Sequence, residues 1–162
     1  MDKELAALSV QLGQVLSERR LMLATAESCT GGWVAEVVTD TAGSSGWFDR
    51  GFITYSNQAK ADMLGVRTDT LEHFGAVSEE TAQEMAAGAI AHSHADWAIS
   101  ITGIAGPGGG SSAKPVGTVC FGWCSRGDSP SSETRLFSGG RREVRQQAVL
   151  HAIRGLLHRL GK

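Results

Sequence analysis

Two windows of the sequence, residues 31–51 and 101–117, hold 11 of its 21 glycines, and each follows a short apolar run. Scattered glycine at about twice its average usage of roughly 7% would suggest low complexity. Clustered just past candidate strands, it means backbone that comes close to a ligand. The runs in front of the windows, Leu21 to Ala26 and Trp97 to Thr102, read as short buried strands. A third, smaller cluster is Gly139-Gly140.

Around these junctions the chain alternates strand and helix. Leu5, Leu8, Leu12, Val15 and Leu16 recur at helical spacing, which predicts an amphipathic helix over 3–19. Trp33 to Thr39 predicts a second helix and Phe48 to Tyr55 a strand. Ser56-Asn57 is a cap pair opening a short helix from Gln58 to Leu64, closed by Gly65. Ser78 caps the next helix, with Glu79 and Glu80 where carboxylates suit the dipole. Val116 to Cys124 and Glu133 to Phe137 predict an antiparallel pair after the second window, and Arg141 to Leu160 a final helix. With no repeat and no linker, the order predicts one α/β domain over residues 1–162. Its expected architecture is a three-layer α/β/α stack with a mixed sheet.

Composition narrows the function classes. The chain has 15 Lys+Arg against 17 Asp+Glu, a formal charge of −2, and no basic run longer than a pair. That is no footprint for a nucleic-acid partner. No apolar run approaches a membrane span, and the polar start Met-Asp-Lys-Glu is not a signal peptide. Three cysteines cannot all pair within one chain, so a reduced, cytoplasmic setting is expected. Trp33, Trp47, Phe48 and Phe52 are candidate interface aromatics for a homo-oligomer, with a dimer favoured.

Four segments could carry chemistry. Glu27-Ser28-Cys29-Thr30-Gly31-Gly32 joins a strand end to a helix start. There a hydroxyl or thiol is exposed, and free helix amides can hold an oxyanion. Ser28 or Thr30 as a plain helix cap is the competing reading, which the local sequence favours. Second, with Asn57 taken as the cap, Lys60 falls in a first helical turn, where the dipole opposes a cation and lowers its pKa. A lysine brought from about 10.4 toward about 7–8 can act as a general base. A solvated surface lysine is the alternative. Tyr55, the only tyrosine, sits just before this cap.

Third is the glycine loop from Thr102 through Gly103, Gly106 and Gly110 to Lys114 and Pro115. It is neither a phosphate-binding Walker loop nor a dinucleotide fingerprint, because it runs into a strand and lacks the closing Gly-Lys-Ser/Thr. Ser111 and Lys114 share a Ser-x-x-Lys spacing that belongs on a helix, so that match is set aside. The loop reads as ligand-wrapping. Fourth, Arg141 and Arg142 oppose the dipole of the last helix, which either an anion between them or plain solvation would relieve. Cys120 and Cys124 read as buried structural cysteines, and the histidines are unclustered, so neither a metal nor a cofactor is expected.

Taken together, several stretches resemble the C-terminal domain family of the competence/damage-inducible CinA proteins, in its stand-alone nicotinamide-nucleotide amidohydrolase form. They are Thr25 to Gly32, Gly43-Ser44-Ser45, Thr54 to Asn57 with Lys60, Gly75 to Ser78, Thr102 to Pro107, and Lys114 to Thr118. They run in family order from about residue 3 to the end. The N-terminal domain of two-domain members is not expected here.

The resemblance implies a serine amidohydrolase with a Ser/Lys pair, Ser28 as nucleophile and Lys60 as base. The implied substrate is nicotinamide mononucleotide, converted to nicotinate mononucleotide and ammonia in NAD recycling. On that reading Tyr55 orients Lys60 or the substrate ring. Amides of Cys29, Thr30 and Gly31 hold the oxyanion, aided by Thr102 and Gly103. From charge and position, Gly106 and its loop are expected to line the nucleotide pocket, and Arg141 with Lys114 to bind the phosphate. The competing expectation is a non-catalytic nucleotide-binding or regulatory module.

Overall fold

The computed structural model describes residues 2–162. Its element order is α1 (Lys3–Arg19), β1 (Leu23–Glu27), α2 (Trp33–Thr39), a 3-10 turn (Ser44–Gly46), β2 (Phe48–Ile53), α3 (Asn57–Leu64), α4 (Thr68–Phe74) and α5 (Glu79–Ala91), followed by β3 (Trp97–Gly103), β4 (Thr118–Ser125), β5 (Ser131–Leu136) and α6 (Arg141–Arg159). The five strands form one sheet in the order β2-β1-β3-β4-β5. β1 runs parallel to both β2 and β3, while β4 and β5 pair antiparallel. The expected mixed sheet is therefore present.

Strand alternation divides the interior into two cores. Leu23 of β1, Ile99 and Ile101 of β3 and Phe121 and Trp123 of β4 face a large core with α1, α2 and α6. Ala24, Ala26, Ala98 and Cys124 face the other side, against α5 and the end of α3. This second side is built from small residues, so its helices come very close. A Cβ added at Gly88 of α5 would strike the Leu64 backbone of α3. Close approach of α3 to α5 and the sheet is what carries Lys60 inward to the end of β1.

Several details differ from expectation. Ser56, not Asn57, caps α3: its hydroxyl accepts from the Ala59 amide at 3.0 Å. Lys60 thus lies one residue deeper, still at the positive end of the helix. Helix α4 has no counterpart in the sequence reading, because Thr70 is its only buried residue and no apolar period announces it. Of the four candidate interface aromatics, one is a core residue and three are half-buried. Trp47 is buried, and Trp33, Phe48 and Phe52 pack on the two cores. Trp47 occupies the space that a side chain at Gly13 would need, which explains why α1 carries a glycine there. All three cysteines are buried and unpaired. Among the described residues, no helix is long and apolar enough to cross a membrane.

Candidate active site

The C-terminal ends of the parallel strands β1 and β3 meet at one edge of the sheet, where α/β folds tend to bind ligands. Past Glu27 the chain continues the sheet for one more residue, with Ser28 N–H donating to Ile101 O at 2.9 Å. It then makes a tight turn, closed by Gly31 N–H on Ser28 O at 3.0 Å. Gly32 follows at φ +104°, a conformation that favours glycine, and α2 begins.

Glu27 governs this turn. Its carboxylate is almost fully buried and accepts from the Thr30 hydroxyl at 2.6 Å and from the Val34 and Ala35 amides at 2.9 and 3.1 Å. It thereby caps α2 from six residues before its first helical residue, Trp33. This corrects one expectation: the first-turn amides of α2 are not free for an oxyanion, because Glu27 holds those of Val34 and Ala35 and Thr30 O holds that of Trp33. The Gly31 amide is likewise committed, and the Thr30 side chain points to Glu27 rather than to a ligand. Among the described residues the amides of Cys29 and Thr30 have no backbone acceptor.

The other side of the turn meets α6. Arg145 Nε donates to Cys29 O at 3.0 Å and its Nη2 to Thr30 O at 3.3 Å. One helical turn earlier, Arg141 donates to Gly106 O at 2.8 Å and to the Tyr55 hydroxyl at 3.1 Å. Arg142 points elsewhere and lies over the Trp33 ring at 4.8 Å. The paired arginines expected to hold one anion therefore diverge.

Lys60 extends from α3 to the base of the turn. Its side chain is buried, and Nζ stands 3.0 Å from Ser28 Oγ and 2.9 Å from Thr54 O. Burial pushes the ammonium below the usual lysine range. A serine hydroxyl bonded to an amine held toward its neutral form is suited to general-base activation. Cys29, the adjacent rival, has its thiol pushed up to about 12, first by burial and then by the Glu27 carboxylate. It stays protonated at neutral pH.

These groups line a cavity of about 230 Å³, walled by Ala76, Val77, Thr102, Gly103 and Ala105 and rimmed by Tyr55, Asn57 and Arg141. The Thr102 hydroxyl donates to Ala76 O at 2.8 Å and holds the 76–77 wall in place. Gly103 has no room for a side chain between Val119 and Cys29 Sγ. Tyr55 is exposed at the rim, bonded to Arg141 rather than to Lys60; the Thr54 carbonyl is what orients Lys60. Lys114 lies outside this cavity. Its ammonium donates to Phe74 O at 2.6 Å and lines a separate open groove of about 780 Å³.

Ser28, Cys29, Tyr55, Lys60, Thr102, Gly103 and Arg141, expected from sequence, are thus brought together, with Gly106 behind Arg141. Residues 5–160 match the family described as CinA C-terminal domain. The chain belongs to that family. Over 155 residues it is 56% identical to the nicotinamide-nucleotide amidohydrolase PncC of Escherichia coli (strain K12), covering 96% of this chain and 94% of that protein. A CinA-like protein of Chloroherpeton thalassium is 50% identical over 157 residues, which cover 93% of this chain and 37% of that one. The crystal structure of the competence/damage inducible protein CihA from Agrobacterium tumefaciens superposes with a TM-score of 0.95 at 45% identity, covering 100% of this chain and 98% of that one.

Within this CinA-type site, the sequence reading gave no site role to Glu27, Arg145, Asn57 or the Ala76–Val77 wall. Two signals were available. A carboxylate ending an apolar strand must find buried partners. An arginine four residues after Arg141 shares its helix face.

Proposed function

We propose that this chain hydrolyses the carboxamide of nicotinamide mononucleotide, giving nicotinate mononucleotide and ammonia, with Ser28 as nucleophile and Lys60 as its base. The observation that carries the reading is the buried Lys60 amine 3.0 Å from Ser28 Oγ. The 56% identity to a nicotinamide-nucleotide amidohydrolase supports the choice of substrate.

Neutral Lys60 takes the Ser28 proton as Oγ forms a bond to the amide carbon. The carbonyl π pair moves onto oxygen, which the Cys29 and Thr30 amides stabilise. Lys60, now charged, gives its proton to the amide nitrogen; the C–N bond breaks and ammonia leaves. Water then attacks the acyl ester, with Lys60 accepting its proton and returning it to Ser28 Oγ. Thr54 O holds the amine in place through both half-reactions. Arg141, bound to Gly106 and Tyr55 at the cavity mouth, receives the 5′-phosphate, and Tyr55 and Asn57 flank the ribose. The Cys29 thiol, kept protonated, stays out of the chemistry.

The test is ammonia release from nicotinamide mononucleotide by the wild type, Ser28→Ala and Lys60→Met. Turnover by the wild type alone is expected. Nucleotide binding without ammonia release at any pH would instead favour a binding module.

A further inference from the structure

We infer that Arg145 is a positioning residue that aims the oxyanion-binding amide of Thr30. The inference rests on the amidohydrolase reading above and adds to it a residue that touches neither Ser28, Lys60 nor the cavity.

Ser28 to Gly31 form a β-turn closed by the Gly31 N–H on Ser28 O, so Cys29–Thr30 is its central peptide. Reversing that peptide would keep the closing bond but put Thr30 at positive φ, which a β-branched residue resists, so what its partners set is the tilt of the peptide plane. Its C=O and N–H point in opposite directions across a planar trans bond. Whatever fixes the Cys29 carbonyl therefore also fixes the Thr30 amide.

Arg145 fixes it. The Nε bond to Cys29 O at 3.0 Å draws the carbonyl toward α6, and the Nη2 contact with Thr30 O sets the fork across two successive carbonyls. α6 lies on the sheet face it shares with α1 and α2, while Lys60 arrives with α3 on the opposite face. The turn stands between those layers. A carbonyl held toward α6 turns the Thr30 N–H away from α6, toward the layer from which Lys60 arrives. Released from Arg145, the peptide plane tilts and the Thr30 N–H turns off the developing oxyanion. Glu27 anchors the same turn through the Thr30 hydroxyl, so Thr30 is held by its side chain on one side and by its neighbouring carbonyl on the other.

The experiment compares wild type, Arg145→Gln and Arg145→Lys with nicotinamide mononucleotide and with its thiocarboxamide analogue. Removing an oxyanion donor outright costs about 10²–10³ in kcat, so misaiming one is expected to lower kcat by about 10- to 100-fold, with KM nearly unchanged. Arg145→Lys, able to reach Cys29 O alone, recovers part of that loss. The sulfur analogue draws little on donors placed for oxygen, so its rate falls less and the oxygen-to-sulfur rate ratio drops. A lower kcat with an unchanged ratio, or no change in kcat, overturns the inference while leaving Ser28 and Lys60 in their roles. A wild type that releases no ammonia, or a Ser28→Ala variant that keeps turnover, overturns the amidohydrolase reading and this inference with it.

Discussion

The two glycine-rich segments at the strand ends, residues 28–32 and 103–117, look alike in sequence and behave oppositely in the fold. The first is buried from Ser28 to Thr30 and bound on both sides, by the Glu27 carboxylate and the Arg145 guanidinium. The second is exposed over much of its length. It is tied chiefly at its ends, by Arg141 on Gly106 O and by the Ile104 and Thr118 backbone pair. Glycine serves rigidity in one and reach in the other. On the proposed function, chemistry at Ser28 needs atoms held to within a fraction of an ångström, whereas closing over a nucleotide needs chain that can conform to it.

Lys60 gives the largest expected effect, since it joins the rigid segment to the reaction. Lys60→Met is expected to lower kcat by at least about 10³-fold, as loss of a member of a catalytic unit does. Its stability should rise or hold. The folded state binds the Lys60 proton less tightly than the unfolded chain, so between the depressed and the ordinary lysine pKa the unfolded state carries more protons. Wild-type stability therefore increases with pH through that window, and the variant, which has no such group, loses this slope. The same depression places the acid limb of kcat below the usual lysine range, with activity rising as Lys60 loses its proton. Denaturant melts and pH–rate profiles read both.

Glu27→Gln tests the buried anchor. The amide keeps one acceptor for Thr30 and Val34 but sets an NH2 against the Ala35 N–H. An expected cost of about 1–3 kcal/mol follows from leaving that donor unsatisfied, and kcat should fall as the turn loosens. The glycines separate the two segments more finely. Gly32→Ala forces a left-handed backbone and brings a Cβ to 3.0 Å from Ile53 Cδ1, for about 1–2 kcal/mol. Gly108 in the loop has ordinary backbone and open space around it, so Gly108→Ala is expected to stay within about 0.5 kcal/mol. Equal costs at the two positions would erase the contrast.

Much of the fold was legible because its signals are local. Strand alternation, the Ser56-Asn57 cap region and the Gly65 stop all act within a few residues of themselves. Lys60 was legible for a related reason: a cation at a helix start conflicts with the dipole, and the fold resolves the conflict by burying it beside Ser28. The partners that shape the Ser28 turn were not legible. Arg145 acts across more than a hundred residues, and nothing near position 29 announces it. Glu27 was visible as a residue but not as a cap, since its amide partners lie beyond a glycine turn whose path only the fold defines. Lys114 and Trp47 show the reverse. Residue type suggested a ligand or a partner, but a backbone carbonyl and the core had claimed them.

Ammonia release from nicotinamide mononucleotide, followed side by side for wild type and a folded Ser28→Ala variant, tests the Ser28–Lys60 pair most directly. Stoichiometric release by the wild type and a loss of at least about 10³-fold in the variant is the expected result. Turnover in Ser28→Ala near the wild-type rate would contradict it, and its disappearance in Cys29→Ala would move the nucleophile to the neighbouring thiol.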